Sequence, residues 1–132
     1  MQRISLCMII KNEEIFLSSM LRSLRPFVDE IIIVDTGSTD KSVRIANEFA
    51  DEVIQLENFP GFSISRNIGI DKATGDWILS LDADEFITPE GILKLRRIAD
   101  SFPIDDGFFI SRTHYTGNGR WSKTWELNFS VG

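Results

Sequence analysis

The chain has 132 residues, 42% of them hydrophobic and 26% charged, a balance that suits one domain around one core and excludes disordered and fibrous classes. Its formal net charge of −6 sets it against nucleic acid and anionic membrane, so a phosphate-bearing ligand requires a divalent cation or local donors. A single cysteine, Cys7, leaves no disulfide framework and no Cys-rich zinc site.

The opening residues, MetGlnArgIleSerLeuCysMetIleIle, meet Lys11 and Glu13 too soon for a signal peptide, and no run reaches the roughly 20 apolar residues of a membrane span. A cytoplasmic setting is the expectation. Ile4 to Ile10 is a short apolar run fit for a strand buried on both faces. Leu17, Met20, Leu21 and Leu24 then fall at helical spacing, and Pro26 stops that helix. Glu30 to Val34 is a second, β-branched strand ending abruptly in Asp35-Thr36-Gly37-Ser38-Thr39-Asp40. Ser38, Thr39 or Asp40 is expected to cap the next helix, with Val43, Ala46 and Ala50 on its buried face. Glu52 to Leu56 reads as a third strand and Ser63 to Ala73 as a helix closed by Gly75. Asp76 to Leu81 is a fourth strand, closed by Asp82-Ala83-Asp84-Glu85. Thr88 caps a last helix that starts with Pro89 and buries Ile92, Leu95, Ile98 and Ala99. From Asp105 the helical rhythm stops. Gly107 to Ile110 and Trp121 to Phe129 read as strands joined through the turn residues Thr116 to Gly119.

Strands alternating with helices predict an α/β fold with a mostly parallel sheet covered on both faces, and the last residues add a short antiparallel extension. Ligands of such sheets bind outside the carboxyl ends of the strands. Lys11-Asn12-Glu13, Asp35 to Asp40 and Asp82 to Glu85 all follow apolar strands directly, so three separate segments are expected to gather at one edge.

Those segments carry the candidate chemistry. Asp82 and Asp84, two carboxylates at i and i+2 past a strand, suit Mg²⁺ or Mn²⁺, which are commonly held by one or two carboxylates plus substrate phosphates. The bland alternative is a solvated acidic turn, and the preceding strand and companion loops favour the metal. Glu85 is open between ligand, supporting group and helix-proximal charge. Asp35 is placed to accept hydrogen bonds from a nucleobase or ribose, with Gly37 letting the backbone approach. Arg66, beside Asn67 on the third helix, has the planar fork that suits phosphate oxygens, and an exposed helix charge is an equal reading.

The stretches from Ser5 to Glu14, Val28 to Asp40, Ser63 to Asn67 and Ala73 to Glu85 resemble family 2 glycosyltransferases of the GT-A, Rossmann-like fold. The start Leu6-Cys-Met-Ile-Ile-Lys-Asn-Glu-Glu14 is similar to the branch of bacterial lipopolysaccharide-core and peptide glycosyltransferases. The resemblance runs from about Ile4 to Phe86. It implies a nucleotide-diphosphate sugar donor, UDP by default, a Mg²⁺ or Mn²⁺ ion, and an inverting transfer to a glycan, lipid-linked or peptide acceptor. By position it assigns the base to Asp35, the nucleoside to the Lys11, Asn12 and Glu13 loop, the diphosphate to Arg66, ribose or metal to Asp82, and metal to Asp84. One departure is Asn58-Phe-Pro-Gly-Phe62, where relatives carry an acidic pair. Residues 1–132 are thus read as one GT-A domain, with 1–104 the donor-binding part and 105–132 the start of an acceptor-side part. The resemblance further implies a longer parent enzyme, with its catalytic base past Gly132; Glu126, the one late acid in a strand-like stretch, reads as a surface charge.

Three other readings compete. Residues 1–132 on their own are also compatible with nucleotide binding without transfer. Asp35-Thr36-Gly37 spells an aspartic-protease motif, which demands an all-β fold and a proton shared between two Asp residues. A phosphatase of the Asp-x-Asp type places its pair after the first strand, not the fourth.

Overall fold

Short apolar runs become the first four strands, and each of these is followed by a helix that packs on the sheet or on its core. The computed structural model describes residues 3–83, 87–101, 107–115 and 121–129, with backbone alone for residues 98, 101 and the last two strands. The elements are β1 (Ile4–Ile10), α1 (Leu17–Leu24), a 3-10 turn (Arg25–Phe27), β2 (Glu30–Asp35), α2 (Ser42–Phe49), β3 (Glu52–Gln55), α3 (Phe62–Lys72), β4 (Trp77–Ser80), α4 (Pro89–Ser101), β5 (Gly107–Tyr115) and β6 (Trp121–Phe129). The first four strands form one parallel sheet in the order β3-β2-β1-β4. β5 and β6 pair antiparallel as a two-stranded sheet of their own, and β6 approaches β4. The α/β reading with an antiparallel ending is the fold observed, and its helices exclude the all-β protease. The turn expected at Thr116 to Gly119 lies outside the described residues.

β1 is the pivot. Its connection through α1 leads to β2 on one side, whereas the chain reaches β4 on the other side through α3. α1, α2 and α4 pack on the face carrying Leu6, Met8, Ile10, Ile31 and Ile33; α3 covers the face of Cys7, Ile32 and Ile78. Opposite faces for the helices on opposite sides of β1 follow from right-handed crossovers in a sheet whose direction of growth reverses. The predicted stripe of α1 is buried entirely, Leu17, Met20, Leu21 and Leu24 each at 2% exposure or less. α2 differs. It starts at Ser42, later than a Ser38 or Thr39 cap requires, so Ser42 and Ala46 are its buried residues and Val43 is half-buried. α4 begins as expected, with the Gly91 amide donating to Thr88 Oγ1 at 3.0 Å. Ile92 and Ala99 are buried and Leu95 packs against the core; the side chain of Ile98 lies outside the described residues. Trp77 ties α4 to the sheet through Nε1, which donates to the Ala99 carbonyl at 3.1 Å.

At the amino edge one device is used three times. Asp29, Asp51 and Asp76 each stand immediately before a strand. Each donates its amide to a neighbouring strand's carbonyl (Ile4, Ile31 and Arg3, at 2.8–2.9 Å) and accepts that residue's amide on its carboxylate at 2.8 Å. The first amides of the ladder are thereby satisfied, which matters because an unpaired buried amide costs about 1–3 kcal/mol. Ser5, Glu30 and Thr74 knot the same edge: Ser5 and Thr74 donate to Glu30, and the Gly75 amide donates to Ser5 Oγ. A Cβ at Gly75 would stand 2.5 Å from Ser5 Oγ and 2.8 Å from the Ser5 nitrogen, so only glycine fits there.

These bonds carry a pH dependence. Burial pushes the Asp29 carboxyl up, but the Ile4 amide and the charges of Arg96 and Arg3 outweigh it and hold the group below its ordinary value. Asp51 is lowered likewise, with Arg25 and the Ile31 amide overcoming burial. A carboxyl lowered by folding stabilises the native chain fully above its unfolded value, about 3.9, and that stability is lost as pH falls through the folded value. The urea midpoint is expected to hold from pH 7 down to about 5 and then to fall through about 4, less steeply in Asp29→Asn. Equal slopes for variant and parent below about pH 4 would remove Asp29 from the account.

Candidate functional site

The carboxyl ends of β2, β1 and β4 lie side by side. Ile10 is in register with Asp35, and Cys7 with Ser80, a pairing that the Leu81 amide continues by donating to the Cys7 carbonyl at 3.3 Å. Asp82, one residue further, therefore flanks the end of β1 on the side opposite Asp35. Two strand spacings of about 4.8 Å put these backbone positions roughly 10 Å apart.

The Asp35 to Asp40 loop and the Lys11 to Glu14 loop are bound to each other. Thr36 donates its amide and hydroxyl to the Ile10 carbonyl at 3.0 and 3.1 Å. Asn12 adopts φ 53°, a left-handed conformation that asparagine tolerates. Its amide donates to Ser38 Oγ at 2.9 Å, while its Oδ1 accepts the Thr39 amide at 2.8 Å. The Glu13 amide donates to the buried Ser42 hydroxyl at 2.7 Å. Asp40 accepts the Ser42 amide at 2.8 Å and the Glu14 amide at 3.3 Å, and Glu14 returns the favour to the Lys41 amide at 3.1 Å. Desolvation raises the Asp40 carboxyl, but the bonds from Ser42 and Glu14 more than offset it and hold the group below its ordinary value. Of the three residues expected to cap α2, Asp40 receives the helix amide; Ser38 and Thr39 serve the neighbouring loop.

Asp35 is 3% exposed and its carboxylate accepts the amides of Gly37 and Ser38 at 3.2 Å. It shapes its own loop, and Gly37 at φ 115° completes the turn at low steric cost.

Asp82 is exposed between buried Leu81 and Ala83, so the alternation of the strand end aims it outward. Arg66 comes from α3. That helix lies close against the sheet because Gly69 faces Val34 and Cys7, with its notional Cβ 3.3 Å from Val34 Cγ2. Burial, and to a smaller extent Glu30, pushes the Cys7 thiol up to about 12, the property of a packed thiol and not of a nucleophile.

These elements enclose a cleft of about 660 Å³, lined by Lys11, Glu13, Thr36, Arg66 and Asp82 around a floor of Ile9, Ile10 and Ala83. Its size suits a small organic ligand. Arg66 and Asp82 also line a narrow space of about 10 Å³ beneath it. Of the predicted site residues, then, Lys11, Glu13, Arg66 and Asp82 meet in one cleft. Asn12, Asp35 and Gly37 are not among its lining residues; they shape the loops that carry it. Asp84 and Glu85 lie outside the described residues, as does the side chain of Glu126. Two aromatic lining residues, Phe59 and Phe62, were not singled out from the sequence; the signal there was two aromatic residues flanking Pro60-Gly61.

The described residues hold no cluster of three or more carboxylate, His or Cys groups placed to bind a metal. Asp82 nevertheless fits the manner in which Mg²⁺ is usually bound, by one or two carboxylates with the remaining positions left to water and substrate phosphate. No helix among the described residues is long and apolar enough to cross a membrane.

Residues 5–130 match the sequence profile described as Glycosyl transferase family 2. A TPR repeat-containing protein of Synechococcus elongatus is 43% identical over 76% of this chain and 25% of its own length. The SPbeta prophage-derived glycosyltransferase SunS of Bacillus subtilis is 35% identical over 83% of the chain and 27% of its own. Among solved structures, S. aureus TarS superposes with a TM-score of 0.62 at 27% identity, covering 74% of this chain and 32% of that one. Glucosyl-3-phosphoglycerate synthase of Mycobacterium tuberculosis, solved with Mn²⁺, uridine diphosphate and glucosyl-3-phosphoglycerate, superposes with a TM-score of 0.53 at 26% identity over 64% and 34%. These neighbours share the GT-A arrangement. The chain thus spans about a quarter to a third of the length of these relatives.

The loop staple is directly testable. Asn12→Gly keeps the backbone conformation and removes Oδ1, so the Thr39 amide is expected to exchange with solvent roughly threefold to tenfold faster. Exchange at the parent rate would mean that Asn12 does not hold the loop.

Proposed function

Because the chain belongs to glycosyl transferase family 2, we propose that its cleft binds a nucleotide-diphosphate sugar, by default a UDP-sugar, and that the protein to which it belongs transfers the sugar to an acceptor hydroxyl. The convergence of Lys11, Arg66 and Asp82 on one cleft carries this reading. Cations from the loop after β1 and from α3 line the same cleft as a carboxylate from the loop after β4, the combination a diphosphate and its counter-ion require.

Each residue then has a task. Arg66, exposed and with no ion pair or hydrogen bond among the described residues, offers its fork to the diphosphate oxygens. Lys11 adds a second positive charge. The Lys11 to Glu13 loop walls the nucleoside, and Asp35 fixes the loop on which the base rests. Asp82, with Asp84, would hold Mg²⁺ or Mn²⁺, which neutralises charge on the departing diphosphate. In an inverting transfer a carboxylate deprotonates the acceptor hydroxyl as it attacks the anomeric carbon in line; we assign that base to no described residue.

Calorimetry tests the reading. UDP is expected to bind only with Mn²⁺ or Mg²⁺, and Asp82→Ala and Asp84→Ala each to weaken it roughly tenfold to a hundredfold. Unchanged affinity in chelator would take the cation out of the account.

A further inference from the structure

We propose that Phe59 and Phe62 form an aromatic shelf on which the nucleobase of the donor stacks without preference among bases; the proposal rests on the nucleotide-binding reading above. The two rings are 46% and 66% exposed although both line the cleft. Large aromatic side chains left in water beside a polar cleft mark a contact surface. Their centroids are 4.9 Å apart at 73°, edge to face, so each ring limits the other's rotation.

The segment that carries them is preset. Pro60 fixes its own φ, Gly61 takes φ 104°, and Ser65 Oγ donates to the Gly61 carbonyl at 2.8 Å. A shelf held in place before binding loses little freedom when a ligand arrives.

Position decides which part of the ligand the shelf meets. The Leu56 amide donates to the Asp35 carbonyl at 2.8 Å, so the segment leaves the sheet at the end of β2, on the side away from β4 and Asp82. Phe62 and Arg66 are four residues apart on α3 and share one side of the helix. With the diphosphate between Arg66 and Asp82, the group that reaches the two rings is the base. Phenylalanine has no hydrogen-bonding group to read base edges, whereas every base has a π-face; the shelf therefore adds affinity and leaves base choice to other groups.

The test is calorimetry on the full chain with Mn²⁺, comparing UDP, GDP and inorganic pyrophosphate. Phe62→Leu, which keeps apolar bulk and loses the ring, is expected to weaken UDP and GDP about tenfold each and to leave pyrophosphate unchanged. Phe62→Tyr, which keeps the ring, is expected to bind all three as the parent does. Parent-like UDP affinity in Phe62→Leu, or an equal loss of pyrophosphate, would overturn the shelf while leaving the nucleotide-binding reading intact. Failure of the parent chain to bind any nucleoside diphosphate would overturn both.

Discussion

In a parallel sheet every strand points the same way, so all the loops that leave the strands emerge together at one edge. β1, paired on both sides, fixes that edge: Asp35 aligns with Ile10 on one flank, and Asp82 falls on the other. Had any strand run antiparallel, its acidic loop would have opened at the opposite end and no cleft with this composition would exist. The reversal of connection at β1 also sends α3 to the face opposite α1 and α2, which is what brings Arg66 over the same edge from the other side.

The two edges of the sheet use carboxylates in different ways. At the amino edge Asp29, Asp51 and Asp76 are bound to main-chain amides, and their charge closes the ladder. At the carboxyl edge Asp35 and Asp40 bind loop amides, whereas Asp82 faces the cleft. Most acids of this acidic chain that the structure describes at strand ends are thus structural, and the site needs few of them. The shape of its wall comes from neutral and charged groups together: Asn12, Ser38, Thr39 and Ser42 hold one loop to the other, and the carboxylates of Asp40 and Glu14 each accept an amide from the opposite loop.

The strands, the buried stripe of α1 and the cap of α4 were legible because apolar periodicity and Thr88-Pro89 depend on local sequence alone. The gathering of three loops was legible too, since it follows from strand direction. What the spacing could not tell was how a loop residue would be used. Asn12 and Asp35 are polar residues at strand ends, as Lys11 is, yet their side chains turn to main-chain amides, a choice made by loop conformation. At the start of α2 the sequence left three candidate caps in a row, which differ only in which backbone amide each meets; Asp40 is the one that meets the helix amide. The aromatic pair at Phe59 and Phe62 drew notice only as a departure from relatives; its exposure is a tertiary property.

The central claim, that a cation and a diphosphate sit at the carboxyl edge, is tested most directly by paramagnetic broadening. With UDP present, substoichiometric Mn²⁺ is predicted to bleach together the amide signals of Lys11, Thr36 and Ala83, which belong to three distant stretches of chain, and to spare those of Ile4, Ile31 and Trp77. Bleaching centred on Asp29, Asp51 and Asp76 instead would put the ion at the opposite end of the sheet and contradict the account.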